Sequence, residues 1–196
     1  MSKPSSGYFV GTQGHKNFLG NENFMFVESM KDAEEIIAER VMGLDTREHT
    51  IKHKKYLSKK QIKEIKKKIE ARTATMEEYK NMRMSERLNE RRAAGVDAFY
   101  ETEKERIING LPTTRKWTQQ QKDAILAGKK PKYNGKTMHA HHTYSVKKYP
   151  HLANRGEVIF PTTFQEHLYE WHGGNWNNSL PGRRIKKNRR YENEKQ

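Results

Sequence analysis

The chain has no cysteine. Disulfides and thiolate metal sites are therefore excluded, and any metal must be held by histidine, carboxylate, amide or water. Long apolar runs are also missing. None approaches the roughly 20 residues that a membrane-spanning helix needs. Hydrophobic residues make up 33% of the 196 positions. That suffices for a modest core, and some segment is expected to be a solvated extension. The first residues, MSKPSSGYFVGTQGHKNF, lack the apolar centre of a secretory signal, so export would need a signal of another kind. Acidic residues are in short supply, 24 against 39 Lys and Arg, and the net charge is +15. Such a surplus selects partners rather than a fold. Nucleic acid comes first, because each phosphate neutralised releases counterions. An anionic membrane surface, a ribosomal or chromatin structural role and an acidic protein partner are also compatible.

The N-terminal half reads as helix. Residues 29–43 carry Ser29 as a cap, acidic residues in the first turns, and Ile36, Ile37, Val41 and Leu44 at helical spacing. Residues 52–72 hold ten Lys/Arg against two Glu. Ser58 is the expected cap there, with Ile62, Ile65 and Ile69 as a narrow apolar stripe. Residues 75–110 predict one or two further helices. They open on a Thr75–Glu78 capping box, Gly95 is the expected break, and Gly110 and Pro112 end the run. A short helix follows Thr118 and closes at Gly128, before a turn at Asn134-Gly135. No internal repeat is present. From Arg183 onward the chain is basic and is expected to be a flexible tail.

What the chain has in abundance is histidine in one place. Six of the nine histidines lie between His139 and His172, together with Trp171. Residues 136–140 predict a strand that delivers His141 and His142. Residues 157–160 predict a second strand, stopped by Pro161. A capping box from Thr163 to Glu166 starts a helix that stops at Gly173-Gly174. Neighbouring strand residues point to opposite faces. One of the histidine pair can therefore face a metal while the other faces a substrate atom, and alternation does not select which. This division suits phosphodiester hydrolysis, in which a metal stabilises charge and a neutral imidazole takes a proton from water.

The motif Ala140-His141-His142, with Asn154, His167 and His172 ahead of Gly173-Gly174-Asn175, resembles the HNH/endonuclease VII superfamily of ββα-metal nucleases. Within it, the pattern is similar to the GHH-type nuclease toxin domains of bacterial polymorphic toxins. Upstream, Thr114-Arg115-Lys116-Trp117-Thr118 and Lys132-Tyr133-Asn134-Gly135 extend the likeness, which covers residues 91–182. Ala140 stands where the GHH group has its glycine, as in a related AHH group. The resemblance implies His142 as general base and His141, His167 and His172 as metal ligands. It implies Asn154 as the residue that orients the base, with Asn175 as its rival. His139 and His151 are expected outside the site. His167 and His172 are five apart, whereas positions four apart share a helix face. A distorted last turn, or a His172 just past the helix end, would reconcile them.

These readings combine into an α+β protein, a mostly helical N-terminal half followed by a small ββα-metal nuclease core. The expected organisation is an N-terminal linker or pretoxin-like segment (1–50), a basic helical arm (51–90), the nuclease domain (91–182) and a basic tail (183–196). The expected activity is metal-dependent, largely non-specific DNA endonuclease action by a delivered toxic effector working in the cytoplasm of a target cell. RNA stays open as a substrate. A sequence-specific phage or homing-type endonuclease and a non-catalytic zinc or nucleic-acid-binding module are the competing readings. The cofactor is one divalent ion, with magnesium, zinc, nickel and manganese not separated. An acidic immunity protein is the expected partner. Lys66, Lys67, Arg155, Arg183 and Arg184 are the candidate nucleic-acid contacts.

Overall fold

A computed structural model describes residues 32–50 and 56–186. The expected linker up to residue 31, including the Ser29 cap, lies outside the described residues. So do the start of the basic run at 51–55 and the tail beyond 186. Among the described residues no helix is long and apolar enough to cross a membrane.

Among the described residues four α-helices come first: α1 (Ala33–Val41), α2 (Lys59–Glu70), α3 (Met76–Ile108) and α4 (Gln119–Leu126). Each opens on a capping box, from Asp32, Ser58, Thr75 and Thr118 to Glu35, Gln61, Glu78 and Gln121. These reciprocal bonds satisfy N–H groups that the first helical turn leaves without partners. A hairpin of β1 (Lys132–Tyr133) and β2 (Lys136–Thr137) follows. Its turn places both Asn134 and Gly135 at positive φ, as the twist of a two-residue hairpin requires. Strands β3 (His139–His142) and β4 (Ile159–Thr162) then pair antiparallel, with His141 opposite Phe160 and His142 opposite Ile159. Two 3₁₀ turns (Pro150–Leu152 and Gly156–Val158) lie in the connection, and a π-helical segment (Glu166–Trp171) comes last. The architecture is the expected α+β, helices first and small antiparallel strand pairs after.

Two breaks expected from residue type are not breaks. Gly95 sits inside α3, which runs without interruption for 33 residues and so continues through residues 90 and 91. The glycine serves packing. A Cβ there would lie 2.5 Å from the Ala153 carbonyl oxygen, and one on Gly156 would lie 2.8 Å from the Phe99 amide nitrogen. The two glycines let α3 and the loop before β4 approach backbone to backbone. Pro161 does not stop β4 but pairs with Ala140 inside it. In a two-stranded sheet every strand is an edge, so the missing N–H costs no ladder bond on its open side.

The main core lies where α1, α3, β4 and the π segment meet. Ile37, Val41, Phe99, Leu152, Val158, Ile159, Phe160 and Trp171 are buried together. Full burial contributes about 1.5–3 kcal/mol for a side chain of this size. Trp117, Ile125 and Met138 form a second cluster. The stripe on α2 is narrower than its sequence suggests, because only Ile65 is buried and Ile69 is exposed.

Gly95→Ala gains about 1 kcal/mol of helix propensity but must displace a backbone carbonyl, and overpacking of this kind costs about 1–3 kcal/mol. Urea unfolding is expected to show a net loss for Gly95→Ala. At Gly43 an added methyl meets nothing within 4 Å, and Gly43→Ala is expected to stay within about 0.5 kcal/mol of the parent. Matching midpoints for the two variants would refute the close-approach role of Gly95.

Candidate active site

Strand alternation separates the four residues of β3. His139 and His141 share one face, while Ala140 and His142 share the other. On the first face His141 meets the π segment. Its Nδ1 lies 2.8 Å from His167 Nε2, and its ring packs against the buried Trp171 at 4.8 Å. His172 completes the group, with ring centroids 5.1 Å from His141 and 4.9 Å from His167. One nitrogen from each of the three imidazoles lies within 4.8 Å of the others.

The five-residue spacing is reconciled by the backbone. The His172 N–H donates to the His167 carbonyl at 3.2 Å, and the Gly174 N–H to the Leu168 carbonyl at 2.8 Å. A turn closed from i to i+5 is wider than an α turn, and it brings residues five apart onto one side. Thr163 and Glu166 cap the start of this helix, as their spacing predicts: the Thr163 N–H donates to Glu166 Oε2 at 2.7 Å. Gly173 and Gly174, both at positive φ, end it.

Hydrogen bonds set the tautomers. His172 Nδ1 lies 2.6 Å from the Asn178 carbonyl. A carbonyl only accepts, so Nδ1 carries the proton and Nε2 keeps its lone pair. His139 Nδ1 lies 2.9 Å from His167 Nδ1, and this contact can hold the His167 proton on Nδ1 and leave Nε2 facing His141. His141 and His167 favour the neutral form. Burial, followed by the charges of His167 and His172, holds His141 well below the usual imidazole range. Burial, with His172, His139 and Arg92 adding to it, pushes His167 down to about 3. Three imidazoles converging on one point, His141 buried and His167 and His172 half-buried, are a donor set that fits a divalent transition ion.

On the opposite face of β3, His142 Nε2 lies 3.0 Å from the Ala153 carbonyl. The same argument puts its proton on Nε2. Nδ1 is then an acceptor, buried and without a hydrogen-bond partner among the described residues. Burial pushes His142 down to about 4 against the opposing effect of the Ala153 bond.

The other expected residues are placed as follows. Asn154 Oδ1 accepts from Arg91 Nη2 at 2.6 Å, and Asn175 Oδ1 accepts from the Asn177 N–H. Neither side chain holds His142; the carbonyl next to Asn154 does. His151 bonds the Asp45 carbonyl at 2.8 Å, away from the cluster, whereas His139 is at its edge. Lys66, Lys67 and Arg155 are paired with Glu86, Glu64 and Glu157 on the surface. Arg183 is exposed. Arg184 is turned inward, its side chain 12% exposed, towards Asp32, Glu34 and Glu170.

Arg92 on α3 is a further candidate that residue type and spacing do not single out. It is exposed, and its charge acts on His141, His142 and His167 alike. No acidic group pairs with it among the described residues. Nothing in its spacing distinguishes it among 39 Lys and Arg. Arg115, inside the Thr114–Thr118 motif, ties two elements of the site together. It grips Glu166 through two bonds, at 2.7 and 2.8 Å, and donates to the Pro161 carbonyl at 2.8 Å.

Two antiparallel strands, a following helix and a histidine pair split across one strand define a small strand-strand-helix unit of HNH type. Residues 84–163 match a family model described as GHH signature containing HNH/Endo VII superfamily nuclease toxin. The resemblance that rested on the double histidine is thereby shown, and the family is one of nuclease toxins. The matched segment contains Arg92, the histidine pair and Asn154. It ends before His167 and His172, which the fold alone brings to His141. No curated protein and no solved structure matches the chain.

If His139 orients His167, then His139→Ala is expected to weaken binding of nickel or zinc by about 10–100-fold. Titration calorimetry checks this, with circular dichroism confirming the fold. His151→Ala, remote from the cluster, is expected to bind metal as the parent does. Equal effects from the two substitutions would overturn the assignment.

Proposed function

We propose that this protein is a metal-dependent, largely non-specific DNA endonuclease and the toxic effector of a bacterial competition system. The observation that carries the reading is the split histidine pair. One face of β3 contributes to a three-imidazole cluster, and the other presents a neutral histidine with its tautomer set by a backbone carbonyl. The nuclease toxin family matched by residues 84–163 supports the same activity.

In this reading His141, His167 and His172 hold the ion. When bound, it supplies charge stabilisation at the phosphate and the leaving oxygen. Three imidazole donors suit a zinc- or nickel-like ion better than magnesium. His142 Nδ1 takes the proton from a water as its oxygen bonds to phosphorus. The P–O bond to the leaving oxygen breaks, and that oxygen takes up a proton from solvent. Burial keeps His142 unprotonated and ready to accept at neutral pH. Arg92 binds the phosphate, since its charge reaches both faces of the site. Asn154 acts through its backbone neighbourhood: Arg91 grips its side chain and the His151 carbonyl. This holds the loop whose Ala153 carbonyl orients His142.

The lysine-rich face of α2, with Lys66 and Lys67, and the exposed Arg155 and Arg183 hold the DNA backbone without reading sequence. Arg184 belongs to an internal ion network and takes no part. The net charge of +15 also suits an acidic immunity protein in the producing cell. The effector acts after delivery into the cytoplasm of the target cell.

Plasmid nicking with and without EDTA tests the reading. Activity is expected to require a divalent ion. His142→Ala is expected to lose roughly 10²–10⁴-fold in rate, and Arg92→Ala roughly 10²–10³-fold, with metal affinity unchanged in both. Full nicking by His142→Ala would remove His142 as the base. Cleavage in excess EDTA would remove the metal.

A further inference from the structure

Beside the histidine cluster lies an aromatic surface that the hydrolytic reading does not use. Trp176 is 48% exposed and Phe164 is 51% exposed, with their ring centroids 5.9 Å apart. The other two tryptophans, Trp117 and Trp171, are 5% and 2% exposed. Leaving half an indole in water forgoes much of the gain that burial would bring. Trp176 is nonetheless held firmly. The turn that carries it is closed by an Asn178 N–H to Asn175 carbonyl bond at 2.9 Å, and the Asn178 carbonyl accepts from His172 Nδ1. The indole is thus tied to a proposed metal ligand. Its centroid is 5.0 Å from His167 and 5.2 Å from His172. Phe164 borders His139 at 5.9 Å.

We propose that Trp176 and Phe164 form a platform that stacks an unpaired nucleobase next to the scissile phosphate, so that the preferred substrate is single-stranded or locally melted nucleic acid. The proposal deepens the nuclease reading and rests on it. Two kinds of recognition meet on one side chain: His167 belongs to the three-imidazole cluster proposed to hold the ion at the phosphate, and the Trp176 ring borders it. A nucleotide offers these groups the same pair of partners, an anionic phosphate and a flat apolar base. The ring neighbours of the platform stand tilted to it, with interplanar angles of 78°, 55°, 63° and 88°. None lies parallel to either ring among the described residues, so a base can do so. In a duplex both faces of a base are covered by its neighbours, so an exposed ring serves a base outside the stack.

The full chain in EDTA, where the proposed cleavage is silent, allows binding to be measured alone. Oligothymidine is expected to quench tryptophan emission, because Trp176 is the exposed indole. Trp176→Ala is expected to remove the quench and to weaken oligothymidine binding about 5- to 150-fold. Trp176→Phe, which keeps a ring, is expected to retain most of the affinity. Binding of an oligo(dA)·oligo(dT) duplex, and of nickel alone by the EDTA-free protein, is expected to change little in either variant. Unchanged emission with oligothymidine overturns the platform. So does equal weakening for single strand and duplex, a Phe variant as weak as the Ala variant, or loss of nickel binding by Trp176→Ala. Plasmid nicking separates the two failures. Nicking without a stacking effect overturns the platform only, and stacking without nicking under any divalent ion overturns the nuclease reading.

Discussion

Glu103 is a carboxylate with no exposed surface, and such a group is costly to bury unless its lone pairs are taken. Here they are. It accepts from the Thr114 N–H at 2.7 Å, the Thr114 hydroxyl at 2.6 Å, Trp117 Nε1 at 2.6 Å and Arg106 Nη1 at 3.1 Å. Four donors from α3 and the segment after it fold that segment back along the helix. Arg40 of α1 donates to the same Thr114 hydroxyl and lies over the Phe99 ring, which draws a third element to the same point. The consequence reaches the site. Between Thr114 and Trp117 stands Arg115, whose guanidinium clamps Glu166 and the Pro161 carbonyl. The clamp joins the end of β4 to the start of the helix that carries His167. A carboxylate buried in the helical half thus sets the position of a histidine in the other half.

The π turn is the second constraint, and it depends on groups outside the helix. Widening the turn leaves carbonyls to be satisfied elsewhere. The Glu170 carbonyl accepts from the N–H groups of Ile185 and Lys186, at 2.8 and 3.0 Å, so the chain after the site closes back over it. Arg184 anchors the return by facing Glu170 together with Asp32 and Glu34 of the α1 region. This explains why one arginine of a basic tail is internal while its neighbour Arg183 is exposed. Its charge balances a carboxylate cluster that would otherwise oppose the packing of the π segment on α1. The spacing of His167 and His172, the inward Arg184 and the glycines after Trp171 are consequences of one local geometry.

Much of this was legible in residue types. The capping residues Ser58, Thr75, Thr118 and Thr163 mark helix starts through local bonds, and local bonds survive in any fold. The histidine pair and the helix behind it were legible for a similar reason, because strand alternation and a capping box need no tertiary partner. Gly95 and Pro161 misled as breakers. Their effect is decided by what lies opposite: a carbonyl at van der Waals limit for the glycine, an open sheet edge for the proline. The i+5 turn could be framed as one solution to an awkward spacing, but choosing it requires the bonds from residues 184–186. Arg92 and His139 were not legible. An arginine on a long helix acquires meaning only from the three histidines on which its charge acts, and those come from a strand and a turn far along the chain.

In the proposed activity the charge pattern separates two tasks. Long-range attraction of a polyanion needs exposed cations, and the contacts proposed for it on the α2 face, at Arg155 and at Arg183 are exposed. Metal binding and proton abstraction need imidazoles that stay neutral, and nearby cations help by disfavouring a further positive charge. Arg92 serves both. It is exposed enough to meet a phosphate and close enough to add to the desolvation that keeps His141, His142 and His167 unprotonated. An acidic residue at position 92 would attract protons to the same rings and repel the phosphate. The sign of that single charge therefore couples substrate attraction to the protonation state of the proposed base and ligands.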